Sequence, residues 1–390
     1  MEHDGEGVAH QSDCNPRAFP PRATSIVGVR TLEFSIDADI TVARTLPARV
    51  YSDPEVFRAE RDRIFARTWQ YAAHTDVVKV VGQVHPFTLL PGALDEPLLL
   101  TRDANDRLHC LSNVCTHRGT LVVEGAGHEQ QLRCRYHGRR FTLDGKFHSM
   151  PEFERTKSFP SRSDDLPEVA LAEWEGFLMV SLDPAMPFDA MADHMRERLT
   201  GFPFPQLSFD PAGARDYLVN ANWALYVDNY LEGFHIPYVH SGLAGVLDYG
   251  AYMVELDRYA VLQVGVAKEG ERAFALPRSH RDAKRRIAAY YYWLFPTTMF
   301  NVYPWGISVN VVTPLAADRT RVSFLPFVWD ESARDQGAGA GLDRVEREDE
   351  AIVESVQRGT RSRLYERGRY SPARETGVHH FHRLLAEFLQ

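Results

Sequence analysis

The sequence predicts an α+β protein: a small β-rich region followed by a larger one that mixes an antiparallel sheet with helices. Three observations predict it. Between Trp69 and Leu182 the apolar residues come in short runs separated by turn residues, among them Asp144-Gly145, a hairpin signal. From Asp216 to Trp329 the apolar runs are longer and of strand length, interrupted by a polar-aromatic stretch of helical character from Trp223 to Phe234. A late segment, Val345 to Gln357, spaces Val345, Ile352, Val353 and Val356 along one helical face. At 390 residues the chain exceeds what one core usually fills, so two domains are expected.

In chain order, residues 1–43 mix Gly, Pro, Asp and Ser without periodicity and read as a loosely packed tail, with Cys14 a free thiol. Ser52-Asp53-Pro54 then supplies a cap and a first-turn proline for a short helix reaching Phe65. Strands are expected at 77–81, 97–101, 107–111, 140–143 and 177–182. A Pro- and Met-rich linker, 184–211, holds one helix at 191–199. Strands follow at 216–221, 260–267, 290–294, 307–313 and 321–329, and the stripe Phe381, Leu384, Leu385 and Phe388 predicts a C-terminal helix.

Composition narrows the function. Lys+Arg 44 against Asp+Glu 53 leaves a net charge of −9, which disfavours a nucleic-acid partner because there is no excess of cation to displace counterions. The start, Met1-Glu2-His3-Asp4, has neither basic nor apolar leader character, and no run approaches the roughly 18 apolar residues of a bilayer span. A cytoplasmic location without membrane partners is expected. Four cysteines are too few for a disulfide scaffold, whereas cysteines clustered with histidines in a reducing compartment point to metal.

Such a cluster is present. Cys115-Thr116-His117 and Cys134-Arg135-Tyr136-His137 each combine one thiolate donor with one imidazole, in turns marked by Arg118-Gly119 and Gly138-Arg139. A zinc finger would carry its histidines as a pair on a helix, and a ribbon would use Cys-x-x-Cys knuckles. Mixed halves match a Rieske [2Fe-2S] centre instead, where two Cys hold one iron and two His the other. Cys110, His109, His128 and His148 have no partner at that spacing.

A second group lies in Asn222 to His240. His235 and His240, five apart, would diverge by about 140° on a regular helix. Pro237 between them removes a backbone donor and clashes with the preceding turn, so the helix is expected to break there and let the imidazoles converge. Two His with one carboxylate form the facial triad of non-haem Fe(II), which leaves positions open for dioxygen. The acid is sought in Glu346-Arg347-Glu348-Asp349-Glu350, a run that by composition alone would be a solvated helix face.

Together and in this order, the two groups resemble the α subunit of Rieske non-haem iron oxygenases, from about Leu46 to the end. The family's Cys-x-His, Cys-x-x-His, acid-x-x-His-x₄-His and late acid fall on Cys115, His117, Cys134, His137, Glu232, His235, His240 and the pair Glu348-Asp349. Matching the second acid of the pair makes Asp349 the third ligand of a mononuclear Fe(II). The segments Asn229 to His235 and Glu354 to Gly359 look closest to the choline monooxygenase-like branch, which oxidises quaternary amines. The resemblance implies a β-rich Rieske domain (66–182) and a helix-grip-like catalytic domain (44–65 and 183–390). It also implies a homotrimer in which Glu232 bridges the cluster of one subunit, through His137, to His235 of the next. Many relatives carry Asp where this chain has Glu232, and Asp228 is a second candidate for that role.

Gly337 to Leu342 mimics a dinucleotide loop, but its third glycine comes one residue early and no strand precedes it. Without a nicotinamide or flavin site, electrons must come from a ferredoxin or a flavin-containing reductase. The expected reaction is O2-dependent hydroxylation or demethylation of a small molecule. The alternatives are ring dioxygenation and, in a different class, a Rieske electron carrier without oxygenase activity. For a quaternary amine the aromatic residues Tyr290, Tyr292, Trp293, Phe295, Phe300, Tyr303 and Trp305 are candidates for a cation-binding cage. His379-His380-Phe381-His382 resembles a metal tract, but it lies on a C-terminal helix docked by Phe381, Leu384, Leu385 and Phe388 and reads as part of that helix rather than as an iron site.

Overall fold

The computed structural model describes residues 34–390, so Cys14 lies outside the described residues. The end of the expected tail is packed: Phe34 and Ala43 are buried in the main core, and Arg44 forms a β-bridge with Arg369.

In the β-rich region, strands Leu108–Ser112, Glu96–Arg102, Gln83–Leu89 and Gly127–His128 form one antiparallel sheet in that order. Leu132–Arg133, Arg140–Phe141 and Phe147–Ser149 form another. Their apolar side chains make a separate small core of Val84, Leu99, Leu111, Val122, Leu132, Phe141, Leu143 and Leu166, which also takes in Cys115 and Cys134. The strand expected at 77–81 is absent. Thr75–Val78 is a 3-10 turn, and Val80 and Val81 are exposed because no neighbouring strand offers them a ladder. The strand falls instead on Gln83–Leu89, whose pairing on one side stops at Val84; Pro86, lacking an N–H, occupies the unpaired stretch.

A third sheet, Gln70–His74, Phe177–Ser181 and Ala170–Trp174, joins this region to the larger one. Its Phe177 packs edge-on against Phe300 and Phe327 of the main sheet. That sheet has eight antiparallel strands. In order they are Ser208–Phe209, Arg319–Val328, Gly306–Ala316, Thr298–Tyr303, Ile287–Leu294, Ala260–Val266 and Met253–Asp257, with Arg215–Val219 also paired to Arg319–Val328. Among the described residues, seven helices accompany the sheets: α1 (Pro54–Arg63), α2 (Asp189–Arg198), α3 (Trp223–Tyr230), α4 (Ile236–Val239), α5 (Ser241–Val246), α6 (Leu342–Thr360) and α7 (Thr376–Leu389). Among the described residues, no helix is long and apolar enough to cross a membrane.

Both faces of the sheet's centre are covered, so nearly every residue of Ile287–Leu294 is buried. Tyr290 and Tyr292 meet Phe202, Phe274 and His194 on one side, while Tyr291 and Trp293 meet Tyr303 and Phe381 on the other. On the Trp293 side, α7 buries Phe381, Leu384, Leu385 and Leu389, and Trp223 of α3 sits edge-on to both Phe65 and Phe381.

Glu60 of α1 is fully buried and accepts a hydrogen bond from Trp223 Nε1 (3.1 Å). Burial pushes its carboxyl up to about 8 from an ordinary 4.5. A raised acid binds its proton more tightly folded than unfolded, so its contribution is complete below pH 4.5 and is lost as the pH rises toward 8. Glu60→Gln, which keeps the shape without the proton, is therefore expected to be more stable than the natural protein at pH 8 and to show little difference at pH 5. Urea unfolding at the two pH values tests this, and a gap that does not grow with pH counts against it.

Candidate active site

The two Cys-His loops have matching geometry. In each, the glycine four residues after the cysteine donates its N–H to the cysteine carbonyl (Gly119 to Cys115, 3.0 Å; Gly138 to Cys134, 3.1 Å). Both glycines adopt left-handed φ, +75° and +74°, a conformation glycine takes without steric cost. Asp164 ties the loops together: its carbonyl accepts from Thr116 Oγ1 (2.8 Å) and from Arg139 Nη2 (3.0 Å), and its carboxylate pairs with Arg139 (2.7 Å). Arg139 is buried among Phe141, Phe147 and Phe159. Neither Asp164 nor this role of Arg139 is visible in the motif, because their partners lie some 25 to 48 residues away.

This arrangement fits a Rieske cluster. The His117 and His137 rings approach to 4.8 Å between centroids. His137 Nδ1 is buried without a hydrogen-bond partner, as a ligand nitrogen awaiting a metal would be. Burial pushes the Cys115 thiol up, and the neighbouring Cys134 sulfur adds to the rise. Two buried thiols side by side are better served by a cation that holds them as thiolates.

The second group converges. His235 Nε2 and His240 Nε2 lie 3.1 Å apart, and Asp349 Oδ1 is 3.0 Å from the latter and 3.4 Å from the former, so the three can hold one metal ion. The chain turns differently from expectation. Helix α3 ends at Tyr230 rather than running to Phe234, and Pro237 sits in the first turn of α4, where its missing N–H breaks no bond. His235 and His240 are the two caps of α4, and it is these breaks at both ends that bring the imidazoles together.

Each imidazole is held by a carboxylate on its other nitrogen. Glu232 Oε1 accepts from His235 Nδ1 (2.7 Å) and Glu348 Oε2 from His240 Nδ1 (2.7 Å), which fixes both Nε2 atoms toward the shared point. Burial disfavours a charged His240, yet Asp349 and Glu348 more than offset this and hold its pKa above the ordinary value. The consecutive acids Glu348 and Asp349 thus serve different nitrogens of one ring, since neighbours on a helix point about 100° apart. Glu232 Oε2 also accepts the backbone N–H groups of Phe234 and His235 (3.0 Å for the latter).

Asp228 does not contact this group. Its carboxylate accepts from His382 Nε2 (2.7 Å) and Tyr51 Oη (3.0 Å), and His382 in turn meets Tyr370 Oη (2.6 Å). His379 and His382 of the histidine tract are thus engaged in hydrogen bonds, His379 Nε2 donating to the Asp37 carbonyl (2.7 Å).

A cavity opens onto His235, His240 and Asp349, walled by Tyr226, Tyr230, Tyr252, Tyr291, Tyr303 and Phe324 together with Gln263, Asn301, Asn310 and Glu346. Of the seven aromatic residues expected to line it, Tyr303 does. Trp305 stacks on Tyr303 at 5.3 Å, while Tyr290, Tyr292, Trp293, Phe295 and Phe300 are core. Strand parity decides this for Tyr290 and Tyr292, because Gln263, Tyr291 and Asn301 stand opposite one another in register and share a face that those two do not, whereas Trp293 shares that face but packs against Phe381 of α7. The glycine run at 337 forms a 3-10 turn that places Ala338 on the cavity wall.

Comparison with known proteins agrees with this geometry. Residues 68–160 match the family described as the Rieske [2Fe-2S] domain, and residues 188–390 match the catalytic domain of the ring hydroxylating alpha subunit. The choline monooxygenase of Beta vulgaris is 30% identical over 377 residues, covering 93% of this chain and 81% of the relative. The carnitine monooxygenase oxygenase subunit of Escherichia coli K12 is 30% identical over 365 residues, covering 88% and 94%. Among solved structures, a quaternary ammonium Rieske monooxygenase in complex with L-carnitine superposes with a TM-score of 0.72 at 25% identity, covering 90% of this chain and 97% of that one. A naphthalene 1,2-dioxygenase shares the fold, with a TM-score of 0.71 at 18% identity over 89% and 92%. Carrying both domains on one chain, in the order its motifs imply, the protein belongs to the Rieske non-haem iron oxygenases, oxidoreductases that use a [2Fe-2S] cluster and a mononuclear iron to incorporate molecular oxygen.

Proposed function

We propose that this chain is the oxygenase component of a system that hydroxylates a quaternary amine, with electrons delivered by a ferredoxin or flavin-containing reductase. The observation that carries the reading is the cavity wall: five tyrosines meet the His235, His240 and Asp349 group in a chain related to choline and carnitine monooxygenases. Aromatic faces hold a quaternary ammonium without needing a hydrogen-bond donor on the ligand, at about 0.5–2 kcal/mol each. Planar aromatic substrates suit such walls too, so ring hydroxylation is the competing reading. Turnover with a reductase and O2 over choline, carnitine and simple arenes separates them. Product from arenes alone would overturn the proposal. The convergence of three ligand atoms speaks against a bare electron carrier.

In this reading Cys115, Cys134, His117 and His137 hold the cluster, and His235, His240 and Asp349 hold the mononuclear iron. When bound, the cluster supplies single electrons and the iron supplies dioxygen activation. The chain's own part is to orient the imidazoles through Glu232 and Glu348, to shield the site under the sheet, and to seat the substrate between tyrosine rings.

The partly exposed His117 and His137, the exposed Tyr136 beside them, and the exposed Phe234 and Tyr238 beside Glu232 support a head-to-tail homotrimer that brings one subunit's cluster to the next subunit's iron. Glu232 accepts three hydrogen bonds within the chain, which leaves a carboxylate lone pair for His137 of a neighbour. Glu232→Gln is then expected to keep both metal centres and the trimer but to slow reoxidation of a prereduced cluster in single turnover by about tenfold or more. Unchanged rates would remove Glu232 from the path between the two centres.

A further inference from the structure

The relatives leave the substrate class open, since monooxygenases named for choline, which lacks a carboxylate, and for carnitine, which carries one, match this chain at the same 30% identity. The cavity discriminates between them. Among the described residues, its wall contains no lysine or arginine, and its two histidines are aimed at the shared metal point, so a substrate carboxylate would find no free cationic side chain there. The wall does contain Glu346 on α6, 2% exposed, whose Oε2 accepts from Tyr226 Oη (2.7 Å) and whose Oε1 is buried without a hydrogen-bond partner. Two further wall residues carry buried unpartnered oxygens, Gln263 Oε1 and Tyr291 Oη. The acids of the wall are otherwise engaged: Asp349 lies against both imidazoles and Glu232 is taken up by His235.

We propose that Glu346 is a specificity residue that pairs with the cationic head of the substrate, and that this chain selects cations lacking a carboxylate over zwitterions. The reading rests on the quaternary-amine function proposed above. A buried carboxylate with one oxygen unsatisfied is poorly solvated, and a cation seated between tyrosine rings beside it supplies the charge that water cannot. Burial pushes the Glu346 carboxyl up to about 8, with Asp349, Glu350 and Asp343 adding to the rise, so it holds its proton until a cation seated beside it draws that proton off to solvent, and the cavity resists a further anion. A substrate carboxylate would bring one.

The test is calorimetric binding to the iron-loaded enzyme without O2, so that no turnover intervenes. The ligands are choline, its neutral carbon isostere in which a quaternary carbon replaces the nitrogen, and the zwitterion (trimethylammonio)acetate, which replaces choline's hydroxymethyl group by a carboxylate. The natural protein is expected to bind choline at least about tenfold more tightly than either of the others. Glu346→Gln, with iron content and cluster absorbance as checks on folding, is expected to lose most of the choline preference over the neutral isostere while binding that isostere unchanged. Preference of the natural protein for the neutral isostere overturns the quaternary-amine reading and this proposal with it. Preference for choline that survives in Glu346→Gln overturns only the role of Glu346. Equal or tighter binding of (trimethylammonio)acetate by the natural protein overturns the selection against zwitterions, and needs no variant to be decisive.

Discussion

Asp349→Ala is expected to yield a protein that retains its cluster irons, loses the mononuclear iron and oxygenates nothing above background. Among the described residues, Asp349 Oδ1 is the carboxylate oxygen within reach of both imidazole Nε2 atoms. Partners outside the ligand set typically contribute about 10–100-fold to metal affinity, and a ligand itself contributes more, so iron binding should weaken by over about 100-fold. Glu348→Ala supplies the contrast. It frees His240 Nδ1 without removing a ligand, and should weaken iron binding only within that 10–100-fold range. Iron per chain, cluster absorbance and turnover measured on the same preparations check both. Should Glu348→Ala empty the site while Asp349→Ala keeps its iron, the two acids have been assigned the wrong way round.

Cys115→Ser is expected to abolish the cluster, with acid-labile sulfide and two irons lost together. A serine hydroxyl in this pocket has no means of becoming a soft anionic ligand, and the site sits 3% exposed in the small core, where no solvent ligand can substitute. His137→Cys is the graded companion. It keeps four ligands but exchanges an imidazole for a thiolate, which should move the potential from the Rieske range of about −150 to +300 mV toward the about −400 mV of all-cysteine plant-type clusters. Redox titration with sulfide analysis decides. A Cys115→Ser protein with the natural visible spectrum would remove Cys115 from the ligand set.

What the sequence determined by itself was chemistry confined to short stretches. The Cys-His pairs at 115–117 and 134–137 announce their role because both donors of each pair sit in one tight turn, and His235, His240 and Glu232 are legible because one short stretch of chain, ending in α4 and its caps, carries all three. The long strands near 260–267, 290–294, 307–313 and 321–329 were readable as apolar runs and α7 by its apolar stripe, whereas of the stripe expected on α6 Val353 is buried while Ile352 and Val356 stand exposed. Tertiary structure decided the rest. Glu348 and Asp349 are adjacent acids on one helix, and only the placement of α6 against His240 gives one to Nδ1 and the other to Nε2. Which of Tyr290, Tyr291 and Tyr292 faces the cavity could not be read from a strand buried on both sides, because the alternation that would mark a wet face is missing. Glu346, Gln263 and Asp164 carried no local signal: each takes its meaning from residues some 25 to 120 positions away, and a distance in sequence becomes a contact only when the chain has folded.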